Sequence, residues 1–177
     1  MNENGENDIR NGYASIGGKR TPFAERVIND RIKITLPEEY EHMEKRHIKA
    51  KYPGFKSKDA VVLTSKDTTV NFMFDFKEGT VLQGELEEVR DQLLGILEEA
   101  QPSLVFLDKS TIEGEGLKVA YFEIVTPSLD KAMYNFMYFF ATEENLVVAS
   151  FSCYDDEKDD WRLVMRQIAG SITACGI

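Results

Sequence analysis

The two histidines, His42 and His47, are the first residues to consider for metal or acid–base chemistry. Two metal ligands on one helical face are three or four residues apart, whereas these histidines are five apart. The acidic run from Asp155 to Asp160 lacks the central glycine of a calcium loop and is interrupted by Lys158. Such a run is typical of the first turn of a helix, where the helix dipole favours acidic side chains. The sequence therefore predicts no metal site.

Three carboxylates, Asp75, Glu78 and Glu123, fall on predicted strands or turns. Acid–base catalysis would need two of them in a common cleft, and their sequence positions do not indicate one. Gly114-Glu115-Gly116 lacks the Gly-Lys-Ser/Thr ending and the following helix of a phosphate-binding loop, so it predicts a tight hairpin. We therefore expect a protein that is not an enzyme and that binds no cofactor.

One segment, residues 45–58, differs from the rest of the chain in charge. It contains six basic residues and no acidic one, within a chain of net charge −10, so the remainder carries −16. Aromatic side chains interleave with these charges. The segment favours a docking edge for an acidic protein partner, and the alternative is a solvated loop that balances the acidic helices of the same molecule. The candidate partner-binding residues are Lys45, Arg46, Lys49, Lys51, Tyr52, Phe55, Lys56 and Lys58.

The overall charge argues against other partners. With 31 acidic and 21 basic residues, most of the surface would repel a nucleic-acid backbone. No run approaches the roughly 18 apolar residues of a membrane-spanning helix. The beginning of the chain lacks the apolar core of a secretory signal, and Cys153 and Cys175 are expected to be free thiols. We therefore expect a cytoplasmic protein that binds neither nucleic acid nor membrane.

Length and composition predict one domain that follows a tail. The chain has 177 residues, of which 42% are hydrophobic and 29% charged, which is ordinary for a globular protein. Residues 1–26 are rich in glycine and asparagine and contain few large apolar side chains. They are predicted to form a flexible N-terminal tail, because they bury too little surface to offset the entropy of ordering. A single α+β domain then spans residues 27–177.

The domain is predicted to begin with a strand and a short helix. Arg31–Leu36 alternates between polar and apolar residues, as a half-buried strand does. Pro37-Glu38-Glu39 resembles the start of a helix, with proline in the first turn. Tyr40, Met43 and His47 would lie on one face of that helix, which a Pro-Gly pair would end.

The rest of the domain is predicted from apolar periodicity and turn residues. Long amphipathic helices are indicated at Glu85–Gln101 and Glu157–Thr173. Strands are indicated at Ala60–Ser65, Thr68–Phe76, Leu104–Ile112, Leu117–Thr126, Lys131–Ala141 and Leu146–Tyr154. Short turns join the last four strands, so we expect an antiparallel meander. The fold class is α+β, an antiparallel sheet of about six to seven strands flanked by helices.

The segment Met133–Phe140 is apolar on both faces of its predicted strand. Such a strand belongs in the centre of a sheet that is covered on both sides. The alternative is an exposed apolar groove for a helix of a partner. The two-sided strand is compatible with either a monomer or a homodimer.

The element order resembles that of the PsbP-like superfamily, which includes the Mog-type Ran-binding proteins and the DcrB-like bacterial proteins. The similarity rests on a strand ending in Leu36-Pro37, a helix after the third strand, the four-stranded meander, and a closing helix that ends Ile168-Ala169-Gly170-Ser171-Ile172. It covers about residues 27–175. The resemblance implies an antiparallel sheet with helices on its faces. It also implies a non-enzymatic role, since the better-known members bind or support other proteins, and it carries over no catalytic residue.

Two functions follow from these observations. The first is a protein-binding or adaptor module, chaperone-like as some bacterial members of the superfamily are. It would dock a partner on the basic segment or on one face of the sheet. The second is a carrier of a small apolar or lipid-like ligand, with a pocket between sheet and helix. That pocket would be lined by Phe72, Phe74, Tyr134, Phe136 and Tyr138.

Overall fold

The structure, a computed structural model, describes residues 8–53, 59–114 and 116–175. Within these ranges the chain forms three helices: α1 (Lys45–Lys51), α2 (Leu86–Ala100) and α3 (Lys158–Gly170). It also forms eleven strands, which are β1 (Tyr13–Ile16), β2 (Lys19–Ile28), β3 (Ile32–Pro37), β4 (Glu41–His42), β5 (Ala60–Thr64), β6 (Asn71–Phe76), β7 (Val105–Glu113), β8 (Lys118–Thr126), β9 (Met133–Ala141), β10 (Leu146–Tyr154) and β11 (Thr173–Ala174). The predicted α+β class is confirmed.

The strands pair into two antiparallel sheets. The larger has seven strands in the order β4-β5-β6-β10-β9-β8-β7, and the smaller has four in the order β1-β2-β3-β11. The predicted meander corresponds to β7–β10, in which each strand pairs with the next. The predicted sheet of six to seven strands flanked by helices is therefore confirmed, whereas the smaller sheet was not predicted from the sequence.

Helices cover the seven-stranded sheet on both faces. On the inner face, Phe72, Tyr134 and Phe151 belong to a large core together with α3 and the smaller sheet. On the outer face, Phe122 and Phe139 pack in a second core with α2. The side chains of β9 alternate between these two cores, so the prediction that Met133–Phe140 is a central core strand is confirmed.

Helix α3 is held to the inner face by a buried carboxylate. Glu123 on β8 is 0% exposed and accepts hydrogen bonds from Arg162 Nε at 2.8 Å and Arg166 Nη2 at 3.1 Å. The hydroxyl of Tyr134 also donates to it. Burial alone would raise the pKa of Glu123, but the hydrogen bonds and positive charges around it outweigh burial and hold the pKa below its usual value.

The predicted tail is wrong from residue 8 onward. Ile9 opens a 3-10 turn and is only 2% exposed, and its backbone N–H donates to Gln167 Oε1 on α3. The segment that follows forms the β1–β2 hairpin, whose turn uses two glycines in the left-handed region, Gly17 and Gly18. The segment is ordered because its few apolar side chains pack on elements distant in sequence. Residues 1–7 of the predicted tail lie outside the described residues.

The helix predicted to begin at Pro37 is also wrong at its start. Pro37 is the last residue of β3 and is followed by a turn, in which the N–H of Tyr40 donates to the Pro37 carbonyl at 3.3 Å. The two-residue strand β4 comes next, and the helix begins only at Lys45. Tyr40 is buried as expected, but against the rings of Phe72 and Trp161 across the core. Tyr40 and Met43 precede the helix and are buried, whereas His47 lies on α1 and is exposed, so the three residues do not form one buried helical face.

Candidate protein-docking site

The basic segment begins as α1, a helix of seven residues that contributes no buried side chain to the core. Its N-cap residue, Glu44, forms an ion pair with Arg46 at 2.8 Å. Lys49 and Lys51 lie in its last turn, where the helix dipole favours cations. The helix is therefore a cationic surface element, and its stability does not come from an apolar face.

Two contacts hold α1 to the body of the protein. Lys51 Nζ donates to the backbone oxygen of Thr68 at 2.7 Å. Tyr52, directly after the helix, is half-buried and shares a side-chain hydrogen bond with Ser152 on β10. Burial lowers the pKa of Lys51, against a smaller opposing effect of Asp67, and burial raises the pKa of Tyr52. Both residues were predicted to bind a partner, and the structure gives them contacts within the protein.

The other predicted residues divide into two groups. Lys45, Arg46 and Lys49 are exposed side chains of α1, and we call these three residues the α1 surface. Phe55, Lys56 and Lys58 lie outside the described residues. The structure thus brings four of the predicted cations together on one short helix, and three of them form the α1 surface.

The turn that receives Lys51 is built by side-chain hydrogen bonds. Asp67 accepts from the hydroxyls of Ser65 at 2.7 Å and Thr69 at 2.9 Å. These bonds hold the pKa of Asp67 below its usual value. Thr68 has a left-handed φ of 64°, which directs its carbonyl outside the regular strand ladder. A rigid turn therefore anchors the end of α1.

A groove of about 830 Å³ lies between this turn and the segment from Glu39 to His47. It contains both histidines, His42 on β4 and His47 on α1. Its charged lining is mixed and comprises Lys19, Lys66, Glu39, Glu41, Glu44 and Asp67. The five-residue spacing of the histidines did not indicate that they line one groove, because the spacing rule assumes that both residues lie on one helix. In the described residues, no group of three or more histidine, cysteine or acidic side chains has the geometry of a metal site.

The carboxylates considered for catalysis are not brought together. Glu123 is paired with α3, and Asp75 is buried on β6 with Lys77 Nζ at 2.6 Å. Glu78 is exposed in the segment that follows β6. Each of the two buried carboxylates therefore has its own cationic partner, and the pair does not share a cleft.

The aromatic side chains predicted to line an apolar pocket are packed against one another. Phe72 and Phe151 have ring centroids 5.0 Å apart, and Phe136 and Tyr138 have centroids 5.8 Å apart. Phe74 meets Tyr138 edge to face. Three cavities lined by described residues, with volumes of about 830, 470 and 290 Å³, include none of the five side chains named for the carrier. None of these three cavities supports the carrier function, which stays a prediction.

No family model matches the chain, and no curated protein matches it in sequence. Solved structures match it in fold. The cyanobacterial PsbP protein CyanoP from Synechocystis sp. PCC 6803 aligns with a TM-score of 0.63 at 12% identity, over 89% of this chain and 95% of that one. The chain has the PsbP-like fold. The resemblance predicted from the element order is thereby confirmed at the level of fold.

Further structures share the PsbP-like fold. LpqN of Mycobacterium tuberculosis, described as involved in cell envelope biogenesis, aligns with a TM-score of 0.51 at 11% identity, over 82% of this chain and 83% of that one. A protein from Bacteroides thetaiotaomicron VPI-5482 aligns with a TM-score of 0.55 at 10% identity, over 86% of this chain and 48% of that one. At such identities the similarity concerns architecture alone. None of the described helices is long and apolar enough to cross a membrane.

Proposed function

We propose that this protein is a non-enzymatic protein-binding module of the adaptor type, and that it docks an acidic segment of a partner on the α1 surface. One observation carries the proposal: α1 buries no side chain, yet it is anchored to the sheet by Lys51 and Tyr52. The anchored helix presents Lys45, Arg46 and Lys49 to solvent on a chain of net charge −10.

The charge distribution supports an acidic partner in particular. Elsewhere on the protein, several cations are paired with carboxylates of the same molecule, as Lys118 is with Glu87 at 2.8 Å and Arg162 with Glu123 at 2.8 Å. Among the residues that the structure describes, Arg46 alone of the α1 surface forms an ion pair, and its partner is the exposed Glu44. An acidic segment would therefore meet three positive charges that the fold itself does not need. Such complementarity raises the association rate and is weakened by salt.

The groove beside α1 offers room for the chain that flanks the acidic segment. Its mixed charges and its volume of about 830 Å³ suit an extended polar peptide better than an apolar helix. A cytoplasmic location and a monomeric or homodimeric state stay predictions from the sequence.

The experiment that tests this proposal compares two charge-reversal variants in capture from cell lysate. The first carries Lys45→Glu, Arg46→Glu and Lys49→Glu. The control carries Arg20→Glu, Lys33→Glu and Lys131→Glu, which changes the net charge equally at exposed sites elsewhere. Capture is measured at about 20 mM and about 200 mM salt, because charge screening becomes strong over this range. Both variants are first checked for an unchanged melting temperature.

The proposal expects one stoichiometric partner with an acidic segment. The wild type and the control would retain it at low salt, and the α1 variant would lose at least 90% of it. Equal retention by the α1 variant would remove the α1 surface as the docking site. Equal loss from both variants would show that total charge, and not this surface, governs the interaction.

A further inference from the structure

A separate cavity lies where three chain segments meet at one end of the two sheets. Its lining comes from the β2–β3 turn, the β9–β10 turn and the chain at β11, and its volume is about 290 Å³. The lining includes Asp30, Arg31, Glu143, Glu144 and Asn145, and we call this space the Arg31 cavity. It shares no lining residue with the groove beside α1.

The walls of the Arg31 cavity are fixed by hydrogen bonds. Cys175 N donates to the Arg31 carbonyl at 2.8 Å, which ties the segment after β11 to the β2–β3 turn. Asn145 Nδ2 donates to the Lys77 carbonyl at 2.8 Å, and Thr80 Oγ1 donates to the Thr142 carbonyl at 2.6 Å. These bonds join the β9–β10 turn to the chain after β6, so the cavity is formed before any ligand arrives.

Arg31 brings an uncompensated positive charge to this cavity. Its guanidinium carbon lies 5.4 Å from the ring centre of Phe76, which supports one face of the group. Its Nη1 is shielded from solvent and has no hydrogen-bond partner. Although three carboxylates line the same cavity, none of those in the described residues forms an ion pair with Arg31. An arginine in this state has donors to offer to a carboxylate.

A second unsatisfied group stands in the same wall. Asn145 is 8% exposed, and its Oδ1 is shielded from solvent and accepts no hydrogen bond, while its Nδ2 is used by Lys77. Leaving a buried acceptor unpaired costs about 1–3 kcal/mol, so a donor that reaches Oδ1 on ligand binding would recover that cost. The wall of the cavity therefore holds an arginine nitrogen and an amide oxygen that are both unsatisfied and both shielded from solvent, and each becomes reachable only when its side chain moves.

We propose that the Arg31 cavity binds a small zwitterion of the α-amino acid class. The ligand carboxylate pairs with the guanidinium of Arg31, and a rotation of this side chain brings Nη1 to the ligand. The ligand ammonium lies toward Asn145 Oδ1 and the carboxylates of Asp30, Glu143 and Glu144. A plain anion is disfavoured because these three carboxylates repel it, and a plain cation is disfavoured because the unpaired guanidinium of Arg31 repels it. The volume suits a free amino acid.

The test uses isotope-labelled full-length protein and side-chain NMR signals of Arg31 and Asn145. A mixture of the twenty common amino acids is added first. L-valine is then compared with isovalerate, which lacks the amine, and isobutylamine, which lacks the carboxylate. We expect the mixture and valine to shift both signals in a saturable manner, and either fragment alone to bind at least tenfold more weakly.

Variants test separately the arginine that would bind the ligand carboxylate and the acidic residues that would bind the ligand ammonium. Arg31→Met keeps an apolar contact with Phe76 and is expected to lower valine affinity at least tenfold. Arg20→Met is the matched control, because Arg20 also lies over an aromatic ring, that of Tyr13 at 4.1 Å, away from the cavity. The exposed double change Glu143→Gln and Glu144→Gln is expected to weaken valine binding and to strengthen isovalerate binding.

Three results would overturn the proposal. No response to the mixture would mean that the cavity holds only water. Isovalerate binding as tightly as valine would make it a plain anion site, and isobutylamine binding as tightly would make it a cation site. The result for the α1 surface does not enter any of these outcomes.

Discussion

Helices α1 and α3 both carry several cations, but they use them differently. On α3, Arg162 and Arg166 converge on the buried carboxylate of Glu123. On α1, Lys45 and Lys49 are exposed, and the helix buries no side chain. The positive charge of α3 therefore stabilises the fold, whereas most of the positive charge of α1 remains available to another molecule.

This contrast separates stability from binding. Changes around Glu123 should alter the free energy of unfolding, and changes on the α1 surface should alter binding while leaving stability nearly unchanged. Lys51 is expected to have an intermediate effect on stability, because it belongs to α1 but donates a hydrogen bond to the backbone of a neighbouring turn.

The largest loss of stability is expected for Glu123→Ala. Removing the buried carboxylate leaves Arg162 without its carboxylate partner and leaves Arg166 with Asp108, whose Oδ2 lies 3.5 Å from Nη2, and should cost about 3 kcal/mol. Urea unfolding followed by circular dichroism would measure this loss. Glu98→Ala on the exposed side of α2 is the control and should change stability by less than about 0.5 kcal/mol. Similar values for the two variants would contradict the role given to Glu123.

A smaller loss is expected for Gly114→Ala. A Cβ at this position would lie 2.3 Å from the Gly170 carbonyl oxygen at the end of α3, and the clash is with backbone. We expect a cost of about 2 kcal/mol. At Gly95 on α2 a Cβ meets nothing within 4 Å, so Gly95→Ala should stabilise the protein by about 0.5–1 kcal/mol. Thermal unfolding of the two variants should therefore shift in opposite directions.

The contribution of Glu123 should also depend on pH. Its pKa in the folded protein lies below the usual value, so the unfolded chain takes up a proton first as the pH falls. The stabilisation is present above the ordinary glutamate pKa of about 4.3 and is lost as the pH falls through the folded-state pKa. Unfolding curves between pH 6 and pH 3 should show a shallower acid dependence for Glu123→Gln. An unchanged slope would mean that other carboxylates dominate acid unfolding.

The smallest change in stability is expected for substitutions of two lysines of α1, Lys51 and Lys49. Lys51→Met removes the hydrogen bond to the Thr68 carbonyl and should cost about 1 kcal/mol, whereas Lys49→Met should cost almost nothing. Hydrogen exchange of the α1 amides would show faster opening in the first variant alone. Equal exchange in both variants would mean that Lys51 does not anchor the helix.

The fold could be predicted where the pattern within a short stretch of sequence determines the structure. The strands of the meander alternate regularly and are separated by turn residues, so β7–β10 were predicted within two residues at each end. The strand predicted at Arg31–Leu36 also corresponds to β3, but the chain before it and the segment between β3 and α1 were not predicted, because their order depends on distant contacts. Ile9 bonds to Gln167 on α3, and Tyr40 packs on Trp161, also on α3. No pattern within a short window contains such contacts.

The candidate site was predictable only in part for the same reason. Composition alone indicated the cations of residues 45–58, since a basic segment is conspicuous in an acidic chain. The sequence did not indicate that Lys51 bonds to Thr68, or that His42 and His47 line one groove. The Arg31 cavity was also missed, because its walls come from three segments that are far apart along the chain.

Site-directed photo-crosslinking tests the central claim, that α1 is the docking surface, most directly. A photoreactive amino acid replaces the exposed Ala50 of α1 in one variant and Leu129, which is 105% exposed, in another. Irradiation in cells followed by mass spectrometry should give an adduct with an acidic segment of one partner from position 50. Position 129 should give little or none. The same adduct in equal yield from both positions, or from position 129 alone, would contradict the assignment of α1 as the docking surface.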